Sequence, residues 1–199
     1  MPLASLVGQI GSVIMPKAVI ENFRILVIGL VILALDQITK WVIIQKIPGP
    51  SYDESIVVIE GFFKLVHYGN TGAAWSMFTG NNFWLAIFSV VALVFLWVFR
   101  RHFGVEELLG QIALGLILGG VAGNLIDRVI HHHVVDFLQF YIPFPFPAFN
   151  IADSGICGGV GLMFLLSFKK PKQGQTWAKK GKVPSESKEV IAAEEENEE

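Results

Sequence analysis

Four long apolar segments limit what this chain can fold into more than any other feature. They cover Phe23 to Ile44, Phe83 to Phe99, Leu108 to Ile126 and Phe149 to Phe168. Each is close to the roughly 17–25 residues that cross a bilayer as a helix. Only 16% of the 199 residues are charged, against about a quarter in an ordinary soluble domain. We therefore expect an integral membrane protein, mainly α-helical, built as a bundle of four transmembrane helices.

The basic residues predict how these segments are oriented. Arg100 and Arg101 lie between the second and third segments, and lysines follow the fourth. The two longer loops, 46–82 and 131–148, carry few basic residues or none. Because cytoplasmic loops are the ones enriched in Lys and Arg, we expect both termini in the cytoplasm and the two longer loops outside.

One domain with an extension at each end is predicted. Residues 1–21 are predicted to be an N-terminal cytoplasmic extension, and residues 22–170 the membrane domain. The tail 171–199 alternates basic and acidic blocks and ends in "EEENEE", a composition typical of disorder. In the first outer loop, two β-branched and aromatic runs flank Glu60 and Gly61, which indicates a short β-hairpin.

Glycines recur at a spacing of four in the third and fourth segments. The third segment contains Gly115, Gly119 and Gly123, and the fourth contains Gly155 and Gly159. Residues at this spacing share one helix face, and small residues there let another helix approach closely. The pattern predicts a compact helical bundle and says nothing about chemistry.

Ionisable residues inside the apolar segments are the first candidates for function, because each costs about 2.5–3.5 kcal/mol to insert. Asp36 and Lys40 are four residues apart, so they share a helix face and can pair. They form either a structural salt bridge or part of a substrate site. Asn124, Asp127 and Arg128 share a face at the end of the third segment. We expect Arg128 to grip Asp127 there and the trio to act as a scaffold.

Asp136 and Asp153 differ, since neither has a Lys or Arg within seven residues in sequence. Asn150 precedes Asp153 by three residues and shares its face. The Pro-rich aromatic loop before it has an interfacial composition, so it should fold back and let the two carboxylates meet. Two neighbouring carboxylates in a low-dielectric site divide into a base and an acid. That arrangement can hydrolyse an amide.

Other interpretations of these acids stay open. A structural carboxylate pair satisfied by backbone donors would look the same, and a proton-coupled transporter would also use such acids. A transporter requires polar residues along the whole membrane path, and the second segment has no charged residue. The run His131–His133 lacks metal-ligand spacing, and Ser154 lacks a G-x-S-x-G turn. We expect neither a metal site nor nucleic-acid binding.

Five sequence blocks stand in order along the chain: "DQITK" at Asp36–Lys40, "NTGAAWSMF" at Asn70–Phe78, "GNLIDR" at Gly123–Arg128, "VVDF" at Val134–Phe137 and "FNIAD" at Phe149–Asp153. In these blocks the sequence resembles the lipoprotein signal peptidase (signal peptidase II) family. The resemblance implies a four-helix membrane bundle with a small extracytoplasmic β-cradle and a periplasmic flap. It also implies an aspartyl endopeptidase that cleaves prolipoproteins just before a diacylglyceryl-modified cysteine.

The resemblance also implies roles for particular residues. Asp136 and Asp153 would be the catalytic pair, and the supporting or substrate-contacting residues would be Asp36, Lys40, Asn70, Gly72, Asn124, Asp127, Arg128, Asn150 and Ala152. No metal or organic cofactor is implied. The expected partners are prolipoprotein substrates and membrane lipid, and we expect a monomer in the bacterial cytoplasmic (inner) membrane with its site near the extracytoplasmic face. A membrane scaffold that binds lipoproteins without cleaving them is the alternative, and it would tolerate Asn at both catalytic positions.

Overall fold

The structure, a computed structural model, describes residues 16–72 and 80–168. Most of the predicted N-terminal extension and the predicted disordered tail therefore lie outside the described residues. So does the stretch 73–79, which contains most of the "NTGAAWSMF" block. Residues 17–21 of the predicted extension are helical.

Each of the four apolar segments forms a helix. The helices are α1 (Lys17–Lys46), α2 (Asn82–Val98), α3 (Leu108–Ile130) and α4 (Ile151–Ser167), and a short 3₁₀ helix, Arg100–Phe103, lies between α2 and α3. The helix α1 begins directly after Pro16, which has no backbone N–H to leave unpaired. It is longer at both ends than the predicted first segment.

Two of these helices are long and apolar enough to span a membrane, namely α1 and α3, while α2 and α4 are shorter apolar helices. Large apolar side chains on the helix surfaces are open to the surroundings: Phe83 is 69% exposed, Phe23 67% and Leu30 65%. No residue of α2 is buried. Soluble monomers rarely expose so much contiguous apolar surface. This surface suits contact with lipid and is consistent with a membrane protein.

A small antiparallel sheet accompanies the helices. Its strands are β1 (Ser51–Ile59), β2 (Phe63–Asn70), β3 (Val134–Ile142) and the two-residue β4 (Phe144–Pro145), and they are ordered β1-β2-β3-β4. The predicted hairpin is confirmed as β1 and β2. Its turn contains Gly61 at φ 69°, a left-handed conformation that glycine adopts without strain.

The strand β3 was not anticipated from the sequence. The loop between the third and fourth segments was expected only to fold back to the membrane surface, whereas its first half forms β3, which pairs with β2. The register places Asp136 opposite Tyr68 and Val134 opposite Asn70. Below the sheet, Val135 packs with Ile43 of α1 in an apolar cluster. The sheet is thereby fixed to the end of α1.

The glycine pattern does bring the helices close together, as predicted. A Cβ atom on Gly119 would collide with the carbonyl oxygen of Gly29 in α1. A Cβ on Gly159 would lie 2.6 Å from the carbonyl oxygen of Ala113 in α3. Because these neighbours are backbone atoms, they cannot turn aside as a side chain could. The three helices α1, α3 and α4 therefore pack backbone against backbone.

Two adjacent glycines of α4 test this packing. Gly159→Ala should lower the thermal unfolding midpoint in detergent, because overpacking against a fixed backbone costs about 1–3 kcal/mol. Gly158→Ala is the matched control, since a Cβ there meets nothing within 4 Å, and alanine is the better helix former. Equal midpoints for the two variants would contradict the close packing of α3 and α4.

Candidate active site

The start of α4 brings Asp136 and Asp153 together through Asn150. Asn150 is the N-cap of the helix: its Oδ1 accepts from the Asp153 backbone N–H at 2.8 Å, and Asp153 Oδ2 accepts from the Asn150 N–H at 3.2 Å. This reciprocal capping box satisfies two donors that a helix start otherwise leaves free. The same Asn150 side chain donates from Nδ2 to Asp136 Oδ1 at 2.8 Å. One buried residue therefore bonds both carboxyl groups, Asp136 through its side-chain amide and Asp153 through its backbone N–H.

Asp136 points into the site from β3 and is almost fully buried, with 1% of its surface exposed. Its second oxygen accepts from Asn70 Nδ2 at 2.9 Å. Asn70 ends the neighbouring strand β2, and its own Oδ1 accepts from the Gly72 N–H at 2.9 Å. The strand pairing that places Asn70 opposite Val134 thus sets the position of this hydrogen bond.

Burial changes the acidity of Asp136. Loss of solvent around the carboxyl, together with the nearby charge of Asp153, raises the pKa of Asp136 from 3.8 to about 7. The hydrogen bonds from Asn70 and Asn150 and the charge of Lys40 act in the opposite direction. A carboxyl group with such a pKa can hold a proton near neutral pH and release it readily, as a general acid must.

Asp153 receives its other hydrogen bond from α3. Asn124 Nδ2 donates to Asp153 Oδ1 at 2.7 Å. On its other side, Asn124 Oδ1 accepts from Lys40 Nζ at 3.1 Å and from Asn150 Nδ2 at 3.2 Å. Because the ammonium group of Lys40 can only donate, it requires the oxygen of Asn124 on its side. The NH₂ group of Asn124 must then face Asp153.

A buried ion cluster lies directly behind these residues. Lys40 Nζ is 2.8 Å from Asp36 Oδ2 and 2.8 Å from Asp127 Oδ2. The pairing of Asp36 with Lys40 is therefore confirmed. The free oxygen of Asp36 accepts from the Ala152 backbone N–H at 2.9 Å, and Asp127 accepts from the Val135 N–H at 3.0 Å. These bonds attach α1 and α3 to the start of α4 and to β3.

The predicted grip of Arg128 on Asp127 is wrong. Asp127 pairs with Lys40, while the Arg128 guanidinium donates to the carbonyl oxygens of Asn124 and Gly72, each at 3.2 Å. Sequence neighbours on a helix point about 100° apart, so an adjacent Asp and Arg seldom face each other, and Lys40 on α1 offers Asp127 a better-placed cation. Arg128 instead joins α3 to the residues after β2.

Gln37 is a residue of this cluster that the sequence interpretation missed. Its Nε2 donates to Asp127 Oδ1 at 3.0 Å and to Asp36 Oδ2 at 3.2 Å. Gln37 lies inside the "DQITK" block, but a lone uncharged Gln next to Asp36 carries no signal of its own. Its tertiary partner is 90 residues away in sequence, so only the fold could show its role.

The remaining candidates have simpler positions. Ala152 is fully buried at 0% exposure and contributes its backbone N–H to Asp36.

The histidine run forms the turn between α3 and β3, with the rings of His131 and His133 6.0 Å apart and His132 at φ 61°. Burial lowers the pKa of His133, and the neighbouring His131 lowers it further. The structure therefore brings every predicted site residue into one region, with the histidine turn beside it.

Comparison with known proteins places this geometry in a family. The family model described as signal peptidase (SPase) II matches residues 28–169. The chain belongs to the signal peptidase II family. It is 40% identical over 156 residues to the lipoprotein signal peptidase of Bacillus pumilus (strain SAFR-032), covering 75% of this chain and 97% of that one. It is 39% identical over 155 residues to that of Syntrophotalea carbinolica, covering 75% of this chain and 94% of that one.

Two solved structures resemble the fold as well. Both are described as bacterial membrane enzyme structures obtained by the in meso method. The one at 2.3 Å resolution has a TM-score of 0.68 at 31% sequence identity, with 78% of this chain and 94% of that chain covered. The other, at 1.9 Å, has a TM-score of 0.65 at 32% identity, with 74% and 94% covered. The fold is therefore similar to that of two solved bacterial membrane enzymes.

Lys40 should be the residue whose loss destabilises the fold most within this cluster. Lys40→Met leaves the buried Asp36 and Asp127 without their shared cation, a change that typically costs about 3–5 kcal/mol. We expect a markedly lower thermal unfolding midpoint in detergent, or no folded protein. Lys46→Met at the exposed end of the same helix is the control and should change the midpoint little. Arg128→Met should destabilise less than Lys40→Met, and the reverse order would contradict the assignment of Lys40 as the partner of Asp127.

Proposed function

We propose that this chain is a multi-pass membrane aspartyl endopeptidase with Asp136 and Asp153 as its catalytic pair. Membership of the signal peptidase II family implies a peptidase that removes signal peptides from prolipoproteins. The finer proposal is cleavage just before a diacylglyceryl-modified cysteine. The observation that carries the catalytic pair is the buried Asn150 side chain, which donates to the carboxyl of Asp136 and accepts from the backbone N–H of Asp153 at the start of α4.

The surroundings of the two acids support different roles. Asp153 lies in the first turn of α4, where the positive end of the helix dipole favours a negative charge. Lys40 supports that charge through Asn124, whose NH₂ group is directed at Asp153. Asp136 lies on a strand, without a helix terminus, and its pKa of about 7 lets it keep a proton. Asp153 is therefore the proposed base and Asp136 the proposed acid.

The proposed reaction balances with these two groups and one water. Asp153 takes a proton from water as the water oxygen bonds to the scissile carbonyl carbon, and Asp136 gives its proton to the carbonyl oxygen. A neutral gem-diol results. Asp153 then protonates the amide nitrogen as the C–N bond breaks, and Asp136 recovers a proton from one of the hydroxyls. Both acids return to their starting states.

The membrane arrangement is part of the same proposal. Four spans, both termini in the cytoplasm and a site near the extracytoplasmic face of the bacterial inner membrane would let the acyl chains of the substrate stay in lipid while the peptide enters the polar site. We propose residues 22–170 as the peptidase domain, with 1–21 and 171–199 as cytoplasmic extensions. We further propose a monomer that needs no metal or organic cofactor. We propose that Asn70 and Gly72 line the substrate side of the site, where Asn70 bonds Asp136 and Gly72 accepts from Arg128.

Substitution of the two acids tests the proposal directly. Asp136→Asn and Asp153→Asn should each abolish cleavage of a diacylglyceryl-modified precursor by purified protein in detergent, because an amide of the same shape can act neither as base nor as acid. Glu106→Gln, at an exposed position, is the matched control and should cleave as well as the original chain. The same precursor without the lipid should be cleaved far more slowly.

Folded protein with substantial activity in either Asn variant would contradict the catalytic pair and favour the binding-scaffold alternative or another nucleophile. Equal cleavage of the modified and unmodified precursors would instead support a peptidase that does not require the lipid on its substrate. The thermal unfolding midpoint of each variant shows whether a loss of activity reflects a loss of fold.

The pKa of Asp136 predicts a pH dependence of stability. Its carboxyl keeps a proton up to about pH 7 in the folded state, whereas it ionises around 3.8 when exposed. Between these values the folded state binds more protons than the unfolded state, so stability should fall as pH rises, by at most about 1.4 kcal/mol per pH unit. Asp136→Asn removes this group. The unfolding midpoint of the original chain should therefore fall relative to that of this variant between pH 4 and 7. Above pH 7 the difference between the two midpoints should stay constant. A difference that is independent of pH would contradict the raised pKa.

A further inference from the structure

Among the described residues, Asn82 makes the one side-chain hydrogen bond between α2 and the end of α3. It is the first residue of α2, and its Nδ2 donates to the backbone carbonyl oxygen of Arg128 at 3.0 Å. The rest of α2 is apolar except for Ser89, whose hydroxyl bonds within its own helix to the carbonyl of Leu85. Asn82 thus connects an otherwise apolar helix to the helix that carries three candidate site residues.

The carbonyl that Asn82 contacts needs a donor from outside its helix. The last four carbonyls of any helix lack intrahelical partners, and α3 ends at Ile130. The Asp127 carbonyl is satisfied by the His131 N–H at 2.7 Å, and the Arg128 carbonyl by Asn82. Because a carbonyl only accepts, the Asn82 side chain must present its NH₂ group. The orientation of this amide is therefore set by its partner.

Arg128 is held in place by contacts with three parts of the chain. Its guanidinium donates to Asn124 in the preceding turn and to Gly72 after β2, while its own carbonyl is held by Asn82. The guanidinium is near enough to Asp136 and Asp153 to interact electrostatically with both. A shift of the last turn of α3 would move this charge relative to the acids and release the Gly72 carbonyl.

We propose that Asn82 is a positioning residue for the peptidase reaction: by capping the Arg128 carbonyl it fixes the last turn of α3 and keeps the guanidinium between Gly72 and the two acids. This inference rests on the proposed function. Asn82 itself touches neither acid, so it acts through Arg128. The sequence blocks that indicate the family do not include it.

The chain provides a matched control in the adjacent residue. Asn82→Asp keeps the shape but replaces the NH₂ donor with a carboxylate oxygen, which repels the carbonyl. Asn81→Asp makes the same change at an exposed N-cap position whose side chain forms no capping hydrogen bond. A negative charge suits the first turn of a helix at both places, but the side-chain oxygen of Asn82 is buried without a hydrogen-bond partner among the described residues. The two variants are therefore compared at equal folded fraction, so that the remaining difference reports the contact with Arg128.

The kinetic test measures kcat and KM on the diacylglyceryl-modified precursor, corrected for folded fraction. Asn82→Asp should lower kcat by about tenfold or more, since misplacement by about 1 Å can cost about 100-fold. KM should change little, because lipid attachment is untouched. Asn81→Asp should match the original chain. In an Arg128→Lys background, Asn82→Asp should add less than about twofold, because two residues that act as a unit are not additive.

A second readout does not depend on activity. Hydrogen–deuterium exchange of the amides in residues 126–134 should be faster in Asn82→Asp than in Asn81→Asp, because the last turn of α3 has lost its cap. Unchanged exchange would overturn the positioning role, and so would an unchanged kcat or full additivity with Arg128→Lys. If the original chain itself fails to cleave the modified precursor, the proposed function has failed, and the exchange experiment still decides whether Asn82 holds α3.

Discussion

The ammonium group of Lys40 is the charge on which the rest of the site depends. It is 2% exposed and lies between two carboxylates that are themselves buried. Its removal would leave the carboxylates of Asp36 and Asp127 buried without their shared cation, and an unpaired buried charge costs several kcal/mol. Each carboxylate also accepts a backbone N–H, from Ala152 and Val135 respectively. One lysine on α1 is thereby linked, through its two carboxylate partners, to the start of α4 and to β3.

The same ammonium group sets the orientation of the polar network in front of it. Lys40 fixes which end of the Asn124 amide faces Asp153, and the Asp153 backbone N–H fixes which end of the Asn150 amide faces Asp136. In both cases a group that can only donate determines the orientation. Neither the Asn124 nor the Asn150 amide can exchange its oxygen and NH₂ group by rotation without losing a hydrogen bond. This order makes the surroundings of the two acids unequal before any substrate binds. Such preorganised dipoles stabilise developing charge without a cost of reorganisation.

The sequence could predict what depends on local pattern and could not predict what depends on tertiary partners. Apolar length gave the four helices, glycine spacing gave their close contact, and the i, i+4 spacing of Asp36 and Lys40 gave their pair. The partner of Asp127 could not be predicted, because it comes from another helix and Arg128 is the nearer cation in sequence. The strand β3 was missed because its aromatic and proline residues also suit a surface loop. Gln37 and Asn82 were missed because a neutral amide gives no signal until its partner is known.

At the start of α4, the residues that cap the helix also shape the site. The capping box that satisfies the first N–H groups of this helix is made of Asn150 and Asp153, and these are also the residues that meet Asp136 and Asn124. A cap is worth about 1 kcal/mol to a helix, and here its hydrogen bonds also hold a carboxylate in place. A substitution at Asn150 would therefore disturb the helix start and the relation between the acids together. Asp153 is tied to the helix start in the same way, because one of its oxygens accepts from the Asn150 N–H and the other from the Asn124 NH₂ group. Asp153→Asn keeps the bond from its own backbone N–H to Asn150 but sets its new NH₂ group against one of these donors, so the carboxylate, the cap and the site geometry are coupled at both residues.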